Sequence, residues 1–119
     1  MSISSKVYLA ARYSRFRELQ VYRDELRALG YRVQCRWVDG EHEMVDGIAT
    51  HEQSERFARD DYEDLQQAGV VISFTEGPGV EGRARGGRHV EFGIGLANNK
   101  LMVIVGPREN VFHYLPGVM

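Results

Sequence analysis

Two short stretches, residues 70–74 (VVISF) and 101–105 (LMVIV), constrain the chain more than anything else in it. A strand with one wet face alternates apolar and polar residues, whereas a near-continuous apolar run suits a strand covered on both faces, as in a parallel sheet. Helical patterns fall between such runs. In residues 14–29, Leu19, Tyr22, Leu26 and Leu29 recur at helical spacing; Ser14 is placed to cap the start and Gly30 to stop the helix. Thr50 opens a second helix, with Gln53 three residues on as a capping box, and the pattern continues to about Ala68. A third helix is expected over 88–98. Residues 6–11 and the alternating stretch 31–38 (YRVQCRWV) read as two further strands. The order β-α-β-α-β-α-β predicts an α/β protein: a mostly parallel sheet of four to five strands with helices on both faces. Ligands bind such sheets beyond the carboxyl ends of the strands. The loops around 11–14, 38–50, 75–88 and 106–110 are therefore where function is expected.

Size and composition narrow the class. The chain has 119 residues, no repeat and no linker-like tract, so one domain over 1–119 is expected. Its single cysteine, Cys35, excludes an intrachain disulfide and a zinc site of paired cysteines; inside the 31–38 strand it reads as inert packing. The four histidines lack metal-ligand spacing, so neither metal nor cofactor is expected. No apolar run approaches the ~18 residues of a membrane span, and the N-terminus lacks a signal peptide's apolar stretch. The expectation is a cytoplasmic protein without a membrane partner. A net charge of -2 argues against a nucleic-acid polymer as partner. Thirteen of the 15 basic residues are Arg, a bias that a GC-rich genome would also produce, so only particular arginine positions carry weight.

Three features resist a purely structural reading. Asp61 lies on the stripe Phe57–Asp61–Leu65–Ala68 that the second helix should bury, where a carboxylate must be paired or face a cavity. By the same geometry Asp60, Glu63 and Asp64 are expected to be solvated. Glu91 is placed in the first turn of the third helix, at the ligand edge, where the helix dipole favours its ionised form; acids are also common there for that reason alone. Between them, residues 77–88 (GPGVEGRARGGR) hold five glycines and three arginines, Arg83, Arg85 and Arg88. Such a loop leading into a helix suits a phosphate or carboxylate, or is simply a surface loop. It is neither a Walker loop nor a dinucleotide fingerprint, and the absence of a Gly-x-Ser-x-Gly elbow argues against a serine hydrolase. Tyr8, inside the first strand, needs a partner for its hydroxyl if buried.

Residues 6–10 (KVYLA), 61–65 (DYEDL) with Ala68, and 87–97 (GRHVEFGIGLA), in that order, resemble the nucleoside 2-deoxyribosyltransferase-like family, which includes 2′-deoxynucleoside 5′-phosphate N-hydrolases. The resemblance spans about residues 6–112 and implies a Rossmann-like, flavodoxin-like three-layer sandwich. It implies cleavage of the bond between nucleobase and deoxyribose, through an ester on a glutamate matched by Glu91. Tyr8 matches the tyrosine that positions that glutamate, and Asp61 the aspartate that assists the departing base. Asn110 matches an asparagine that the neighbouring subunit contributes, so a homodimer or higher homo-oligomer is implied. The family's transferases carry a further acid shortly before the nucleophile; here Arg85-Gly86-Gly87-Arg88 stands instead. That basic stretch, with Arg12, Ser14 and Arg15 at the first helix start, favours a phosphorylated substrate. The expected partner is a deoxynucleoside or deoxynucleotide, with transfer to another base or to water left open. A non-catalytic nucleotide-binding module on the same fold is the competing class; it would need the loop but not Tyr8, Asp61 and Glu91 together.

Overall fold

The computed structural model describes residues 5–42, 48–77 and 86–119. Four strands form one parallel sheet: β1 (Lys6–Ala10), β2 (Arg32–Val33), β3 (Ala68–Phe74) and β4 (Leu101–Val105), in the order β2-β1-β3-β4. Three helices connect them: α1 (Phe16–Ala28), α2 (His51–Gln67) and α3 (Gly87–Ala97). The chain steps outward from β1 to β2, then back past β1 to β3 and on to β4. With right-handed crossovers this places α1 on one face and α2 and α3 on the other. The expected three-layer α/β architecture is therefore the observed one. β1 and β3 are interior to the sheet, and Val7, Leu9, Val71 and Phe74 are buried between the layers with Leu19 of α1 and Leu65 of α2. Among the described residues no helix is long and apolar enough to cross a membrane.

The capping box forms as read: Gln53 N–H donates to Thr50 Oγ1 (3.1 Å), and Thr50 N–H donates to Gln53 Oε1 (2.9 Å). At its other end α2 runs straight into β3 at Ala68, two residues earlier than the apolar run suggests. Ser14 does not cap α1. It lies within a 3-10 turn, Tyr13–Arg15, and α1 begins at Phe16 without a side-chain cap. Leu29 falls beyond α1 and is exposed rather than packed.

The strand expected over 31–38 is the main correction. Only Arg32–Val33 pair with β1 in the ladder. Gln34 N–H still reaches Val7 O, but Val38 and Asp39 N–H both turn back to Cys35 O. Side chains pull the backbone out of register: Trp37 Nε1 donates to Leu9 O (2.9 Å), and Arg36 N–H donates to Asp64 Oδ2 (2.8 Å). Val33, Cys35 and Trp37 are all buried, so the alternation marks faces correctly although no ladder follows. Cys35 thus sits in this turn, not in a strand; its Sγ is 3.5 Å from Leu9 O. Burial pushes its thiol well above the ordinary range, in keeping with an inert side chain.

Candidate active site

Tyr8 on β1, Asp61 on α2 and Glu91 on α3 come together on the face shared by α2 and α3. Tyr8 is wholly buried, and its hydroxyl donates to Glu91 Oε2. Burial, and then the charge of Glu91, push the phenol well above its usual pKa, so it stays a donor. Glu91 is the fifth residue of α3, not a first-turn residue, because the helix already starts at Gly87. Gly86 precedes it with φ 81°, a left-handed conformation that glycine adopts without penalty.

The expectation that the helix dipole keeps Glu91 ionised is reversed. Burial pushes its carboxyl up to about 8, the charge of Asp61 adds to this, and the Tyr8 hydrogen bond acts the other way. Asp61 is pushed up to about 7, by burial first and then by Asp64 and Asp60. Its side chain keeps 28% exposure, and Oδ1 has no hydrogen-bond partner among the described residues. Two neighbouring carboxyls whose proton affinities rise toward neutrality can hold one proton between them. Such a pair offers an acid and a nucleophile in the same state.

Two neighbours of Asp61 were not legible in the sequence. His42 is buried and stacked on Phe57 at 4.3 Å, with Nε2 3.5 Å from Asp60 Oδ2 and Nδ1 3.8 Å from Asp61 Oδ1. Burial lowers its pKa, which favours the neutral ring. No spacing rule connects residues 42 and 61; only the fold does. Asp64, expected to be solvated, is fully buried. Arg36 explains this: its guanidinium contacts Asp64 Oδ1 (3.1 Å), Asp60 Oδ1 (3.1 Å) and Glu63 Oε2 (2.9 Å). One side chain thus ties the turn of α2 that carries Asp61 to the segment after β2. Asp60 is also more protected than expected, at 16% exposure.

The candidate substrate-binding residues divide. Arg12 and Arg15, just past β1, hold Glu76, just past β3, at 3.2 and 2.9 Å. Arg15 also pairs with Glu18 (2.6 Å) and donates to Thr75 O. Arg88 makes a two-pronged contact with Glu109 at 2.7 and 3.0 Å. The Nε atoms of Arg12 and Arg88 are buried and have no hydrogen-bond partner among the described residues. Ser14 is exposed, and Gly87 is the first residue of α3. Asn110 caps a second 3-10 turn, Val111–Tyr114, its Oδ1 accepting from Phe112 N–H at 3.0 Å. Arg83 and Arg85 lie outside the described residues. Among the described residues no group of three or more His, Cys, Asp or Glu is arranged to hold a metal ion.

No family model matches the chain, and no curated protein matches it in sequence. Its structure is similar to solved ones. A 2-deoxyribosyltransferase from Bacillus psychrosaccharolyticus superposes with a TM-score of 0.70 at 17% identity, over 91% of this chain and 79% of that one. The CMP N-glycosidase BcmB of Clostridium botulinum superposes with a TM-score of 0.51 at 20% identity, over 83% and 69%. A conserved protein from Enterococcus faecalis V583 gives 0.57 at 16% identity, over 85% and 62%. At these identities the likeness is one of fold. At that level it agrees with the family resemblance of the sequence.

Proposed function

We propose that the chain is an enzyme of the nucleoside 2-deoxyribosyltransferase-like family. It cleaves the N-glycosidic bond of a 2′-deoxynucleoside or its 5′-monophosphate, in the cytoplasm and without a cofactor. The observation that carries this reading is the hydrogen bond from the buried Tyr8 to the half-buried Glu91, with the carboxyl of Asp61 beside it. The resting pair holds its one proton mainly on Glu91, and in the reactive state that proton has passed to Asp61 and Glu91 is ionised. The bond from the anomeric carbon to the base breaks, its electrons leave with the base, and Asp61 supplies the proton that neutralises it. The oxocarbenium-like centre is stabilised by the Glu91 carboxylate, which then bonds to it as an ester. Water or a second base attacks the same carbon and releases Glu91. Tyr8 holds the Glu91 oxygen in place and stabilises its negative charge. Arg12, Ser14, Arg15, Gly87 and Arg88 frame the sugar end at the carboxyl edge of the sheet, and Asn110 completes the pocket of a second copy.

A panel of deoxynucleosides and their monophosphates, with and without an acceptor base, tests this by the release of free base. Denaturing the reaction early should leave a deoxyribosyl adduct on Glu91, visible by peptide mass spectrometry. If no base is released from any substrate, the chain is a binding module and the enzymatic reading is lost. An adduct on another residue overturns the role of Glu91.

A further inference from the structure

Arg12 and Arg15 stand where β1 ends, four and seven residues after Tyr8. Glu76 stands where the adjacent strand β3 ends. The three side chains close over the same stretch of the carboxyl edge, and they are largely shielded: Arg12 is 15% and Glu76 14% exposed. Each oxygen of Glu76 is engaged by a different guanidinium, Oε1 by Arg12 and Oε2 by Arg15. This is how a protein holds a phosphate: planar donors from two arginines converging on neighbouring oxygens. Here the anion is the protein's own.

We propose that Glu76 is a specificity-determining residue, filling with a built-in carboxylate the anion seat that a substrate 5′-phosphate would occupy, so that the preferred substrate ends in an uncharged 5′-hydroxyl. The inference rests on the function proposed above and chooses between its two substrate classes. Glu18 adds a second carboxylate on Arg15, so the two arginines are balanced by two acids. At Arg12 and Arg15 an arriving phosphate would meet the charge of Glu76 already in place. Arg88, in the first turn of α3, is likewise engaged by Glu109. A hydroxyl carries no charge to be repelled, and a carboxylate oxygen can accept its hydrogen bond.

Glu76→Gln keeps the shape and one acceptor but removes the charge, leaving Arg12 and Arg15 with unspent donors. The wild-type protein should show a higher kcat/KM for a deoxynucleoside than for its own 5′-monophosphate. In Glu76→Gln the ratio of monophosphate to nucleoside should rise at least tenfold. Inorganic phosphate should raise the melting temperature of Glu76→Gln, at fixed ionic strength, and leave that of the wild type unchanged. A wild-type preference for the monophosphate overturns the inference, as does an unchanged ratio in a variant with native circular dichroism. If the variant does not fold, the wild-type substrate ratio decides alone. If neither substrate is cleaved, the proposed function fails, and the phosphate-dependent melting shift still decides whether Glu76 fills an anion seat.

Discussion

Glu91 and Asp61 bind protons more tightly in the folded protein than in the open chain, and this has consequences in both rate and stability. The reactive form of the pair carries one proton. With Asp61 pushed up to about 7 and Glu91 to about 8, the one-proton form is most populated between those values; its proton rests mainly on Glu91, and the reactive arrangement is the minor tautomer in which it has passed to Asp61. A bell-shaped pH profile of kcat/KM with its maximum in that interval is expected. For stability the sign is fixed by the raised values: the folded state holds protons that the unfolded state has already released. Stability from these two groups is complete below about 4 and lost as pH rises through about 7 and 8. Glu91→Gln removes the ionisation, so its unfolding free energy should exceed that of the wild type at pH 8.5, by on the order of a few kcal/mol, and the gain should shrink toward pH 5. The same substitution should lower kcat on the order of 1,000-fold, because an amide keeps the Tyr8 contact but does not attack carbon. A variant that keeps its rate, or whose stability gain grows toward acid pH, contradicts these roles. Asp61→Asn should cost about 100- to 10,000-fold, most for the poorest leaving bases; an equal loss on all bases speaks against proton donation.

At the scale of elements, α3 and α2 make separate claims. Of the two glycines inside α3, Gly95 is a site of close approach within the chain. A methyl group there would stand 3.0 Å from Met102 Sδ and 3.0 Å from Val71 Cγ2, whereas one on Gly93 would meet nothing within 4 Å. Gly95→Ala should therefore cost about 1–2 kcal/mol through overpacking against β3 and β4, partly offset by helix propensity. Gly93→Ala should gain about 1 kcal/mol, since alanine is the better helix former and nothing resists it. Urea denaturation of the two variants checks the opposite signs. On α2, Asp64→Ala leaves Arg36 paired with Asp60 and Glu63 alone and removes the buried anchor of the turn that carries Asp61. A loss of about 2–3 kcal/mol is expected, below that of a fully buried pair because Arg36 keeps 28% exposure.

For the whole molecule, assembly is the open consequence of the surface. Val111, Phe112 and Tyr114 in the second 3-10 turn are 76%, 59% and 70% exposed, and Val90 and Gly93 lie bare on the outer side of α3. Apolar side chains gathered in this way are characteristic of an interface. A homodimer or larger homo-oligomer is expected by light scattering at micromolar concentration, and Phe112→Asp should shift the mass toward the monomer. A monomeric wild type would remove the basis for Asn110 acting in a second copy's site.

Periodicity and end signals determined the layer architecture, because they are local: the two apolar runs announce β3 and β4, and Thr50 with Gln53 opens α2 wherever that helix packs. Tyr8, Asp61 and Glu91 stood out because each is polar in a place that the pattern marks for burial or for the ligand edge. The tertiary structure alone decided who meets whom. Residues 31–38 alternate like a strand, but Trp37 and Arg36 bond across to Leu9 and Asp64, and these long-range contacts end β2 after two residues. Asp64 is buried because Arg36 reaches it from another element, and His42 flanks Asp61 across a gap of 19 residues. The arginines at the carboxyl edge read as free phosphate ligands until Glu76 and Glu109 are seen against them. Charge along a chain is additive, but the field at a site depends on distances between residues far apart in sequence, and only folding sets those.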